Sequence, residues 1–168
     1  MKRILIIFCL LLLSFTISAQ VISFTDLLNA VNDQENNAFQ KELLNSGFTQ
    51  ISANYGLLEP EKWAFEYNPK TQNANIWVYR YNNSMDFNRN VESTIIRIHT
   101  IGPDDPLHTY LTGKIKEFCT YDRTFFHSTQ DYYSNDYIHK SGATFSIYSV
   151  RGENVIKVSK SEKIQLFP

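Results

Sequence analysis

The chain changes its hydrophobic period twice, and this constrains its fold more than any motif it contains. Up to Gly47 the apolar residues keep helical spacing. Phe24, Leu27, Leu28 and Val31 fall at i, i+3, i+4 and i+7, and Phe39, Leu43 and Leu44 resume the stripe. In ELLNSGFTQ, residues 42–50, the stripe stops at a glycine. Helices commonly end in a left-handed residue, a conformation that glycine adopts at little steric cost. Past this point the period falls to 2, so helical and extended segments must share one core. EFCTYD, residues 117–122, is a weaker echo of the same change.

The segments between these points are read from period and turn chemistry. The first helix starts at Ser23 or Thr25, either of which can accept orphan backbone N–H groups, and a break is expected near residues 33–37. After a linker holding Gly56 and Pro60, KWAFEY (62–67) and IWVYRY (76–81) alternate as half-buried strands, joined by turn residues in NPKTQNAN. NNSMDFNRN (82–90) reads as a loop and VESTIIRIHT (91–100) as the third strand. Short polar connections make this an antiparallel meander. Asp105 then supplies an N-cap and Pro106 a first helical residue. Leu107, Tyr110, Leu111, Ile115, Phe118 and Cys119 mark one face of a second helix. RTFFHS (123–128) reads as a short strand, and ATFSIYSVRGENVIKVSK (143–160) as a hairpin turning at RGEN. QDYYSNDYIHKSG (130–142) fits either an irregular loop or an edge strand.

The expected fold is therefore α+β. An antiparallel sheet carries two helices packed on one face, in the order α-βββ-α-ββ(β), with residues 21–101 and 102–168 as degenerate pseudo-repeats.

Residues 1–20, MKRILIIFCLLLLSFTISAQ, have the layout of a secretory signal peptide: cations at Lys2 and Arg3, a short apolar run, and a small-residue exit at Ala19. The run is shorter than the ~20 apolar residues that span a bilayer. Export to the periplasm or medium is expected, leaving one domain over residues 21–168 with no stable membrane insertion. Cys9 lies within the apolar run, so Cys119 would be the mature chain's one thiol, and no internal disulfide can form. At 43% apolar and 14% aromatic, the composition can fill a packed core without one. Without Lys2 and Arg3 the balance is 14 cations against 17 anions. A mildly acidic, unclustered charge distribution excludes a nucleic-acid footprint.

Strand alternation singles out one surface. If Ile76, Val78, Ile96 and Ile98 face the helices, then Trp77, Tyr79, Tyr81, Arg97 and His99 share the opposite face. Rings with polar tips beside a guanidinium suit recognition of a protein, or second a glycan, because they combine large apolar area with directional hydrogen bonds. Packing alone also favours aromatic residues in strands, and a slip of one residue would exchange the faces.

Catalytic signals are weak. Cys119, on the apolar helix stripe, is expected to be a buried, inert thiol. The histidines at 99, 108, 127 and 139 lack paired metal-ligand spacing, and Asp104, Asp105 and His108 read as a capped helix start. Glu66, Asp86 and Glu92 are scattered carboxylates of a kind any acidic domain offers. No cofactor or metal is expected. The competing class is a small periplasmic hydrolase using Cys119 with a histidine, or a carboxylate pair.

With its SAQ signal exit and its Asn, Tyr, Phe and Lys richness, the chain resembles small exported proteins of unknown function from gram-negative bacteria. Its helix-then-strands pattern resembles folds of the beta-lactamase-inhibitor-protein and PepSY kind. That resemblance implies a binding or inhibitory module and transfers no motif residue.

Overall fold

The structure is a computed structural model that describes residues 22–32, 37–53, 59–86, 91–102 and 104–163; for 37, 82–86, 91–93 and 161–163 it describes the backbone alone. The proposed signal peptide lies outside the described residues. At residue 23 a reciprocal capping box opens the chain: Ser23 N–H donates to Asp26 Oδ2 at 2.8 Å, and Asp26 N–H to Ser23 Oγ at 3.1 Å. Helix α1 (Phe24–Asn32) buries Phe24, Leu27, Ala30 and Val31, and α2 (Asn37–Asn45) follows. The first helical region is thus two helices flanking the expected break, and the segment between them, 33–36, lies outside the described residues.

At Gly47 the backbone turns left-handed, with φ of 85°, and its N–H returns to Leu44 O at 3.1 Å. The next residue already begins β1 (Phe48–Ser52), where the sequence suggested a linker. Then come β2 (Glu61–Phe65), β3 (Ile76–Asp86) and β4 (Val91–Ile101). β3 runs on through NNSMD, which reads as loop by composition. Its pairing with β4 resumes at Ser84 after a register shift, so ladder geometry there overrides the turn-prone asparagines.

Helix α3 (Pro106–Phe118) starts as expected: Asp105 accepts from the His108 N–H at 2.9 Å and Pro106 sits in the first turn. It ends without a glycine. Cys119 is already extended, while its N–H still reaches back to Ile115 O, so the helix passes directly into β5 (Cys119–His127). This places Cys119 at the start of a strand instead of on the helix stripe. β6 (Tyr132–His139), β7 (Thr144–Val150) and β8 (Glu153–Lys163) complete the chain. The β7–β8 turn is Arg151-Gly152, with φ of 53° and 82°, the primed turn that matches strand twist.

All eight strands form one antiparallel sheet in the order β1-β2-β3-β4-β8-β7-β6-β5. The fold is α+β, but larger than βββ plus ββ(β): each half of the chain adds a four-stranded meander, and the halves meet where β4 pairs β8. The segment 130–142 is neither loop nor edge, because β6 lies between β5 and β7. Its polar, aromatic pattern arises because β6 buries Ser134 and Asp136 against neighbouring side chains and leaves Tyr133 and Ile138 exposed.

One apolar cluster joins helices and sheet. Leu27, Leu43, Leu111 and Ile115 pack with Trp63, Val78, Ile96, Phe145, Ile156 and Val158. Burying these side chains contributes about 1.5–3 kcal/mol each and is the main source of stability. Two charged residues enter the same side of the sheet: Arg80 and Glu61 are cross-strand partners, each 1% exposed, and Gln40 donates to Glu61 at 2.6 Å.

Candidate functional site

Residues alternating with the core positions point to the other side of the sheet. Ile76, Val78, Ile96 and Ile98 are buried in the core, so Trp77, Tyr79 and Tyr81 on β3 and Arg97 and His99 on β4 share the opposite face. Register brings the five together. Trp77 lies across from His99 and Tyr79 across from Arg97. The Tyr79 and His99 rings meet edge to face at 4.9 Å, Trp77 and Tyr79 lie 6.4 Å apart, and the Arg97 guanidinium sits 4.9 Å from the Tyr81 ring. Lys62, from β2, places its ammonium 3.9 Å from the Trp77 ring, a cation–π contact. His99 Nδ1 is 2.7 Å from Glu153 Oε2, which ties the imidazole to β8.

The face continues into the second half of the chain. Tyr148 on β7 stacks on Tyr132 of β6 at 4.4 Å, Tyr132 on His127 of β5 at 4.5 Å, and His127 meets Phe125 at 4.8 Å. Sequence reading missed these rings because 130–142 had no assigned period; the alternation of Tyr132, Ser134 and Asp136 was the available signal. Two register rows emerge. One runs Trp77, His99, Val155, Tyr148, Ser134, Phe125, and is mainly aromatic. The adjacent row runs Lys62, Tyr79, Arg97, Lys157, Ser146, Asp136, Arg123, with four cations against one carboxylate. The sequence hides this cationic row because its members come from separate strands.

Close packing within the rows shapes their electrostatics. Val155 and Ser134 are 0% exposed although they point away from the core; their neighbours in the row are His99 and Tyr148 for the first, Tyr148 and Phe125 for the second. Burial pushes the Tyr148 hydroxyl up to about 12, against the pull of Arg97. Burial also lowers Lys157, Arg97 lowers it further, and Asp136 partly offsets both. Tyr79 is raised by burial and then by Glu153. Phenol protons therefore stay in place as hydrogen-bond donors at neutral pH.

Activated nucleophiles need a different arrangement. Ser134 Oγ donates to Asp136 Oδ1 at 3.1 Å, so with His127 Nε2 at 3.0 Å the imidazole donates to the hydroxyl. A general base would instead accept the hydroxyl proton. Cys119 pairs across strands with His139, yet no hydrogen bond joins the two side chains among the described residues. The His139 Nδ1 lone pair accepts from the Ser141 N–H at 3.1 Å, and burial pushes the Cys119 thiol up to about 11. Glu66 is engaged by Asn75, and the side chains of Asp86 and Glu92 lie outside the described residues. Among the described residues no group of three or more His, Cys, Asp or Glu is placed to hold a metal ion, and no helix is long and apolar enough to cross a membrane.

Comparison of the chain with protein-family models, with curated proteins and with solved structures found no match in any of the three.

Proposed function

We propose that the chain is an exported, non-catalytic binding module whose helices cover one face of the sheet and whose other face receives a partner, a protein first and a glycan second. The aromatic row lying beside the cationic row, continuous across both halves, is the observation that carries this reading. Rings supply apolar area at low entropic cost, and a line of cations favours a partner surface bearing carboxylates. The layout of residues 1–20 supports export. The recurrence of helix plus four-stranded meander supports a degenerate repeat over 21–101 and 102–168, since Phe48 and Glu61 open β1 and β2 at the same interval at which Cys119 and Tyr132 open β5 and β6.

The test is capture from the native envelope or medium with tagged wild-type protein, Trp77→Ala and Tyr79→Ala. Capture should fall about tenfold in each variant, with unfolding free energy lowered by no more than ~1.5 kcal/mol, because both rings are only half-buried. Capture abolished by protease treatment of the extract points to a protein, and capture abolished by periodate to a glycan. Undiminished capture in both variants would remove this face as the site.

A further inference from the structure

We infer that the outer edge of β5 is a homodimer interface at which two copies pair antiparallel into one continuous sheet. β5 ends the strand order, so among the described residues nothing pairs with its outer side. An unpaired edge presents a row of backbone donors and acceptors to any strand that fits it. Natural edges are usually short or charged; this one is 9 residues long, Cys119–His127, and its charges are confined to Asp122 and Arg123 at the middle. Exposed apolar surface gathers here too: Phe118, Tyr121, Phe125, Phe126, Tyr133 and Ile138, all on β5, β6 or the end of α3, are between 43% and 65% exposed.

The occupant follows from a bulge. Pairing with β6 shifts register between Tyr121 and Arg123, so Asp122 is an extra residue. On the N-terminal side of it, Cys119 and Tyr121 share the helix side; beyond it, Thr124 and Phe126 do. A foreign regular strand laid along this edge would have to absorb that inversion by a second register shift, as β6 does on the inner side. A second copy carries the same inversion. When the copies run antiparallel with Asp122 opposite the second copy's Arg123, Tyr121 faces Thr124, Thr120 faces Phe125 and Cys119 faces Phe126, with every face matched over 119–126. A slip of one residue sets helix-side residues against residues of the other side. A slip of two either does the same at Arg123 and Thr124 or shortens the pairing to 119–124 and leaves Phe125 and Phe126 bare. The matched register is also the one that sets Asp122 and Arg123 opposite each other twice, by symmetry. Within one chain Arg123 Nε is 3.6 Å from both Asp122 and Asp136, so its guanidinium is already held at this edge.

Sedimentation of the purified protein from micromolar to several hundred micromolar tests the pairing, with hydrogen exchange of the β5 amides measured at both ends of that range. The expected result is a species of twice the chain mass and β5 protection that rises with concentration. Arg123→Glu should weaken dimerisation about tenfold, since each of two symmetric contacts becomes like-charged, and adding Asp122→Lys should restore it. Thermal melts identify any variant that fails to fold, and for such a variant the wild-type exchange data stand alone. A monomer throughout, or a dimer whose β5 amides gain no protection, overturns the proposal.

Discussion

Cys119 shows how one residue's surroundings decide its chemistry. It begins a strand, packs against the core cluster and sits beside His139. Proximity to an imidazole would suggest a thiol nucleophile, but burial pushes its pKa from 9.0 to about 11. At a fixed neutral pH, two units cut the thiolate fraction about a hundredfold, while the more basic thiolate is intrinsically about tenfold more reactive. Alkylation by iodoacetamide at pH 7.5 should therefore run about tenfold slower than for an unperturbed thiol. The rate should also climb with pH well past 9. Rapid modification at neutral pH would instead indicate an ion-paired thiolate and favour the hydrolase reading.

At the scale of elements, Gly47 does the work its sequence context implied. Its left-handed backbone ends α2 and aims Phe48 into the core. A Cβ added there would meet only Phe65 Cε2 at 3.5 Å, an ordinary van der Waals contact, so space is not what selects glycine. Gly47→Ala should cost about 1–2 kcal/mol in urea unfolding, the steric cost of the left-handed region, and Gly47→Asn less. Equal costs for the two would place the penalty in packing instead. Elements with a strong local signal were legible: α3 with its Asp105 cap, the Arg151-Gly152 turn, and the inward isoleucines that put Trp77, Tyr79, Tyr81, Arg97 and His99 on one face. Elements formed by tertiary pairing were not. β1 is only FTQIS, and the end of β3 holds asparagines that favour turns, so both depend on partner strands for their extended form. Arg80 follows Ile76 and Val78 on the inward side of β3, where an apolar residue is expected, and its cross-strand partner Glu61 is visible only once the register is known.

The whole molecule is held together at its centre. β4 and β8 pair along their full length, from Val91 opposite Lys163 to Ile101 opposite Glu153, and this ladder links the two meanders. The core does not divide there: residues of α1, β3 and β4 share one cluster with residues of α3, β7 and β8. Separating the halves would expose two long central strand edges and split that cluster, so neither half is expected to persist alone. Unfolding should accordingly be a single cooperative step. The chain offers a direct check, because both tryptophans, Trp63 and Trp77, lie in the first half, whereas far-UV circular dichroism reports on both halves. Urea transitions followed by tryptophan fluorescence and by circular dichroism should coincide in midpoint and slope. A fluorescence transition that precedes or follows the dichroism would show that the halves unfold separately and that the β4–β8 ladder is a contact between two domains instead of the spine of one.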